Sequence, residues 1–383
     1  MTNTAETVSN LRMFSGARQY HNFSNFKNLL PVNEMQPAAE PHTFPQGTAI
    51  QPPLDFRFDG STVNTDEFLK RTDTGGLLVL QDGKVRFEDY WLSGGQNVQW
   101  ISWSVAKSFI SAMVGIALAE GHVESIDDAI SQYIRVEPGS AYDGVSIKHV
   151  LQMSSGARWN EDYGDPDSDI NRFSATMAGI GTLDNFIASM VRQDEPGTVC
   201  RYNSADTQAL GSLLVNATGQ SITDYMQSKI CDPLGFEASG YWMIDSIGRE
   251  MAFGGLNLTA RDFAKLGELF RCGGHWNGRQ IIPEEWVQQS VDSNEAHLQP
   301  GKVEVGGLKF GIGYGYQWWV PEGDRGEFTG IGIYNQFVYV DPTRNLTIVK
   351  QTANPVYGSP EDDHKSELET LEFLRATAAC CDS

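Results

Sequence analysis

Residues 104–119 read SVAKSFISAMVGIALA. The stretch is apolar on nearly every face and too long for a strand, so it predicts a buried helix. Glu120-Gly121 closes it, with glycine where a left-handed residue is wanted. Ser104 and Lys107 open it at S-x-x-K spacing. Residues i and i+3 share a helix face, so the ammonium can approach the hydroxyl. A lysine in so apolar a helix must be paired or used. Burial lowers its pKa and lets it act as a base. The first helical amides lack internal partners and can donate to a developing oxyanion.

Before this helix, residues 75–91 (GGLLVLQDGKVRFEDYW) read as two strands joined at Asp82-Gly83, a strong hairpin signal. After it, residues 122–300 read as mainly helical with long loops. Residues 204–219 (SADTQALGSLLVNATG) carry a start signal, an apolar face and a closing glycine. In residues 258–274 (LTARDFAKLGELFRCGG), Thr259 can cap a helix that Gly273-Gly274 ends. Residues 283–291 (PEEWVQQSV) predict a shorter helix with proline in its first turn. Strands return at 314–320 (YGYQWWV), 332–340 (GIYNQFVYV) and 346–352 (LTIVKQT), with Asp341-Pro342 as a turn, and a last helix spans about 366–378.

Strands near both ends and helices between them predict an α+β fold. One antiparallel sheet is built from both chain ends, flanked by helices, with a mainly helical lobe inserted. The expected division is an extended arm over 1–56 and one catalytic unit over 57–383. Residues 57–103 and 305–383 form its α/β lobe and 104–304 its helical lobe, with the active site between them. The arm contains Pro31, Pro37, Pro41, Pro45, Pro52 and Pro53, which disfavour long regular elements. Phe23, Phe26, Leu29 and Leu30 can pack it onto the body.

Two more segments carry chemistry. Tyr202-Asn203-Ser204 follows the turn at Pro196-Gly197 and a short strand, and precedes a helix. A tyrosine there can present its phenol to a pocket, and a nearby ammonium would favour the phenolate as a base. Glu327 to Ile333 (EFTGIGI) opens a strand whose glycines let backbone come close to a ligand, and an amide here can be a second oxyanion donor.

With 28 basic and 49 acidic residues, the 383-residue chain has a net charge of -21. Nucleic-acid binders need a basic footprint, and anionic membranes would repel this chain. The five cysteines are odd in number, and no pair has C-x-x-C spacing, against a disulfide framework or zinc ribbon. No H-E-x-x-H occurs. Asp165, Asp167 and Asp169 alternate like a calcium loop, but Ile170 stands where glycine is needed and Thr176 where a glutamate is needed. The expectation is a metal-free and cofactor-free enzyme. No basic n-region followed by an apolar run opens the chain, so the expected location is cytoplasmic, with a processed periplasmic form as the alternative. A homodimer is compatible with the sequence.

Five ordered segments carry a family resemblance: SWSVAKS (102–108), WNEDYGDP (159–166), CRYNSADTQAL (200–210), GGLNLTARDFAKLG (254–267) and GIGIYNQFVYVDP (330–342). They resemble serine hydrolases of the class C β-lactamase and penicillin-binding type, and more narrowly the 6-aminohexanoate-dimer hydrolases and related carboxylesterases. The resemblance implies a β-lactamase/transpeptidase-like fold. It implies Ser104 as acylated nucleophile, Lys107 as keeper of the proton network and of an anionic or receptive Tyr202, and Tyr202 as general base and then acid. The amides of Ser104 and Ile333 would form the oxyanion hole. Tyr163, Ser174, Ser204, Phe253 and Gly332 would be substrate-binding positions.

Phe328 stands where β-lactamases and transpeptidases carry Lys or His before Thr-Gly, so a basic anchor for a substrate carboxylate is missing. The aspartate that holds a substrate ammonium in efficient nylon-oligomer hydrolases aligns with Ser174, and the asparagine that improves that activity aligns with Phe253. Asp167 and Asp169 are the acidic alternatives. The implied reaction is acyl-enzyme hydrolysis of a small ester or a linear amide. The rival readings are a non-catalytic ligand-binding relative and a DD-peptidase or β-lactamase-like enzyme.

Overall fold

The computed structural model describes residues 19–359, 362 and 364–382. Its main sheet has seven antiparallel strands in the spatial order Gly313–Tyr314, Trp319–Val320, Phe328–Gly332, Gln336–Asp341, Leu346–Thr352, Thr74–Gln81 and Lys84–Tyr90. Strands from the two chain ends therefore pair directly, Leu346 opposite Gln81 and Lys350 opposite Leu77. At the first hairpin Asp82 and Gly83 both have positive φ, 51° and 68°. That is the turn whose twist matches the flanking strands.

Side chains on a strand alternate between faces, and both faces of this sheet are covered. Leu78, Leu80, Val338, Val340 and Val349 join one core, together with Phe263, Leu266 and Phe270 of the helix Ala260–Arg271. Leu77, Val79, Phe337, Tyr339 and Ile348 join the other, with Phe373 and Leu374 of the helix Lys365–Ala379. The helix Ala260–Arg271 was expected in the inserted lobe. It packs on the main sheet instead, because its apolar stripe matches the open sheet face.

The central region also holds strands that were expected to be helix or loop. Gly240–Met243 and Leu256–Leu258 lie in a four-stranded sheet between Val32–Met35 of the arm and Trp100–Ile101. Strands this short are stable only through their neighbours. The arm is thus not simply extended. It supplies an edge strand and the short helix Gln19–Phe23, and Phe23, Phe26 and Leu30 are buried on the body.

Two expected strands are interrupted. Residues 332–340 turn at Tyr334 and Asn335, with φ of 62° and 65°, so Phe328–Gly332 and Gln336–Asp341 form a hairpin. Residues 314–320 split around Gln317, with φ of 63°. Residues 198–203 make only an isolated bridge, Arg201 to Glu304. Pro283 caps the helix Glu284–Ser290 from outside rather than sitting in its first turn. Among the described residues, no helix is long and apolar enough to cross a membrane.

Candidate active site

Ser104 lies in a 3-10 turn, Trp103–Val105, that runs into the buried helix Ala106–Ala119. Gly121 closes that helix with φ of 77°. The turn is fixed from below, since Ser102 N donates to Leu256 O at 2.8 Å. Trp103, just before the serine, has φ of 44°, a costly conformation for a bulky residue.

One helical turn on, Lys107 is buried and its Nζ meets three oxygens. Ser104 Oγ lies at 2.8 Å, Phe253 O at 2.9 Å and Ser204 Oγ at 3.1 Å. Among the described residues, no carboxylate lies within ion-pair distance of it. Burial pushes its pKa down to about 7, against the opposing pull of the Glu161 charge. A neutral amine suits this cage: two N–H groups can serve Ser204 Oγ and Phe253 O, leaving the lone pair for the Ser104 hydroxyl.

Tyr202 is buried and hydrogen-bonded to Ser104. Its ring stacks on Trp319 at 5.0 Å, and Lys107 Nζ lies 5.0 Å from the ring centroid. Burial first, and then the Glu161 charge, push its phenol well above the ordinary value. Of the two states the resemblance allows for Tyr202, anionic or receptive, burial disfavours the anion, and the same desolvation lowers the Lys107 amine.

The sequence reading missed Glu161. It is buried and accepts from Ser204 Oγ at 2.6 Å, Tyr163 OH at 3.0 Å, Ser204 N at 3.1 Å and the Trp159 indole. Ser204 thus donates to Glu161 while accepting from Lys107. It was expected to bind substrate. It is fully buried and bridges the lysine to a carboxylate instead. Asn203 caps the helix Ser204–Thr218 through Ala205 N at 2.8 Å and donates to the buried Asp206 at 2.9 Å. That fixes the Tyr202–Ser204 segment.

Ser104 and Tyr202 open onto a cavity of about 510 Å³. Tyr163, Gly332 and Ile333 line it, with Trp319, Phe310 and Leu308 as apolar wall. Its lining also carries Glu161, Asp162, Asp362, His364 and Glu367, and the described wall has no lysine or arginine. Ser174 and Phe253 do not face this space. They line a separate pocket of about 10 Å³ beside Ser104, room for about one water, because Phe253 stacks on Phe173 at 4.7 Å. Phe328 packs against Trp318 at 5.2 Å, away from the cavity. Asp169 is engaged with Asn160 N and Arg172, and neither it nor Asp167 reaches the wall.

The strand end and the serine turn approach very closely. A Cβ on Gly332 would lie 2.4 Å from Ser102 O and 3.1 Å from Ser104 N. The next residue, Ile333, borders both the main cavity and the small pocket with Ser104.

The family model described as Beta-lactamase matches residues 64–371. A 6-aminohexanoate-dimer hydrolase of Paenarthrobacter ureafaciens is 28% identical over 323 residues, 82% of this chain and 80% of that protein. A solved Bacillus anthracis protein, provisionally described as a 6-aminohexanoate-dimer hydrolase, superposes with a TM-score of 0.81 at 22% identity, covering 94% and 93% of the two chains. A family VIII carboxylesterase gives 0.58 at 15% identity over 82% of this chain and 96% of its own.

Proposed function

From the premise that this chain belongs to the Beta-lactamase family of hydrolases, we propose that Ser104, Lys107 and Tyr202 run an acyl-enzyme cycle on ester or linear amide bonds. The observation that carries this reading is the buried Lys107 amine 2.8 Å from the Oγ of Ser104, which lines the cavity. Ser104 Oγ attacks the carbonyl carbon while its proton passes to neutral Lys107. The amides of Ser104 and Ile333 receive the oxyanion. The tetrahedral centre then collapses. Tyr202 gives its proton to the departing oxygen or nitrogen and takes one back from the Lys107 ammonium, which restores both groups. Water repeats the sequence to release the acid.

The cavity supports a choice among substrates. Four carboxylate side chains, those of Glu161, Asp162, Asp362 and Glu367, line it against the single imidazole of His364, which is paired with Glu367, so a substrate carboxylate would be repelled. Uncharged short-acyl esters fit first. Linear amides ending in an ammonium fit second, and the missing basic anchor disfavours β-lactams. The test is intact-mass spectrometry with a short p-nitrophenyl ester, the linear 6-aminohexanoate dimer and a cephalosporin. A transient adduct and turnover with the ester, with neither from the cephalosporin, is the expected result. Steady cephalosporin turnover would overturn the substrate choice. The absence of adduct and turnover with all three would favour the ligand-binding alternative.

The pH dependence follows from the base. Lys107 accepts a proton only when neutral, so kcat/KM for the ester should fall on the acid side around the value of about 7 that burial gives this amine. The Glu161 charge raises that value. Glu161→Gln should therefore move the acid limb to lower pH, by roughly 1 unit. A limb that stays in place in this variant would remove Lys107 from the role of base.

A further inference from the structure

We propose that the N-terminal arm is part of the oxyanion hole's support, with Phe23 as its positioning residue. This deepens the serine-hydrolase reading and rests on it. The two amides assigned to the hole belong to Ser104 and Ile333, and each adjoins a non-glycine residue with left-handed backbone. Trp103 precedes Ser104 with φ of 44°, and Tyr334 follows Ile333 with φ of 62°. Such conformations persist only where surrounding structure over-determines them.

The arm supplies that constraint from one side chain. The Phe23 ring lies edge-on to both residues, with centroids 5.4 Å from Trp103 and 5.1 Å from Tyr334. It also meets Trp100 at 6.2 Å, while Phe26 reaches Trp103 at 5.9 Å. Phe23 and Phe26 are both fully buried. The Gln19 side chain, one turn before Phe23, is hydrogen-bonded to Tyr334. Two tethers hold the arm in place: Ser93 Oγ donates to Tyr20 O, and Val32–Met35 pairs with Gly240–Met243. A segment whose described residues do not line the cavity thus clamps the neighbours of both oxyanion donors.

Removing the Phe23 ring frees Trp103 and Tyr334 to relax, and the two amides move with them. A structural role alone would lower stability and the fraction of active protein, but not turnover per active site. The experiment compares wild type, Phe23→Ala, Phe23→Leu and Phe56→Ala. Phe56 is a buried phenylalanine of the opposite core, packed on Phe68 and Phe373, and serves as the stability control. Active sites are counted with a fluorophosphonate. Then kcat, KM and the affinity of an alkyl boronic acid, which needs the hole to hold its tetrahedral adduct, are measured per active site.

Phe23→Ala should lower kcat and boronate affinity together, by roughly 10- to 100-fold, short of the full loss of one donor. KM should change by less than about 3-fold, as expected when only the transition state loses contacts. Phe23→Leu should recover most of the loss, and Phe56→Ala should leave kcat per site unchanged. Unchanged kcat and boronate affinity in Phe23→Ala would overturn the proposal while leaving the hydrolase reading intact. A wild-type protein that takes no fluorophosphonate on Ser104 would overturn both.

Discussion

Replacing Lys107 by methionine is expected to lower kcat by roughly 10⁴-fold or more, the scale of losing one member of a nucleophile–base unit. The same change should flatten the pH dependence of stability. Burial pushes the amine down to about 7 in the folded protein, against about 10.5 for a lysine in water. Between those values the unfolded chain binds one more proton at this site than the folded one. Unfolding free energy therefore rises with pH across that window, and below about 7 the full cost of burying the charge is present. Methionine removes this slope. Lys350 is also buried and is lowered to about 7 by desolvation and the Arg71 charge, so the variant keeps the part of the slope that Lys350 contributes. Only the difference between the two proteins reports Lys107. Urea unfolding at several pH values between 6 and 9 measures it. Parallel curves for the two proteins would mean that the amine is not held near neutrality. Ser104→Ala should lose the acyl adduct outright. The double variant should be little worse than either single one, because residues that act as a unit are not additive.

The active helix was legible because its chemistry and its burial share one local pattern. Lys107 stands three positions after Ser104, and helical geometry alone brings them together. The same holds for Asp82-Gly83 and for Thr259 as a cap, which accepts from Asp262 N as its position implies. What stayed hidden depended on pairing across the chain. Gly240–Met243 is a strand only because Val32–Met35 and Leu256–Leu258 lie beside it. The helix Ala260–Arg271 shows its apolar stripe in the sequence, but not which surface the stripe meets. Tyr334 and Asn335 form a left-handed turn without glycine, so Asn335 alone marked it within an apolar run.

Glu161 was obscured for a different reason. It lies among Asp162, Asp165, Asp167 and Asp169, a run that reads as solvated loop. A clue was nevertheless present in Trp159, Glu161 and Tyr163, which alternate in the sequence; the two neighbours turn their polar hydrogens onto the carboxylate. Burial of one acidic residue in such a run is a tertiary event. Its consequence is functional, because Glu161 connects the Tyr163 loop to Ser204 and through it to Lys107. A loop that closes on substrate through Tyr163 would therefore also touch the charge that sets the base.

Gly332→Ala should have the next largest effect, for a reason visible only in the folded chain. The added Cβ would sit 2.4 Å from Ser102 O and 3.1 Å from Ser104 N. Both obstacles are backbone atoms, so no side chain can swing aside. The serine turn is held by Leu256 O from one side, and the strand Phe328–Gly332 is paired along its length with Gln336–Asp341. One of them must move, and either movement separates the Ser104 and Ile333 amides. Loss of one oxyanion donor costs roughly 10²- to 10³-fold in kcat, and that is the expected fall, with a smaller change in KM. Overpacking should also remove about 1–3 kcal/mol of stability. Gly330→Ala is the matched control. Its Cβ would meet Ser108 Oγ at 3.3 Å and Val105 Cγ1 at 3.4 Å, both side-chain atoms, so kcat should stay within about 10-fold of wild type, short of the loss of a donor. If Gly332→Ala keeps wild-type kcat while losing stability, the close approach is packing alone, and Ile333 is not the second donor. If kcat and boronate affinity fall together only in Gly332→Ala, the glycine is there to let the strand bring its amide to the nucleophile.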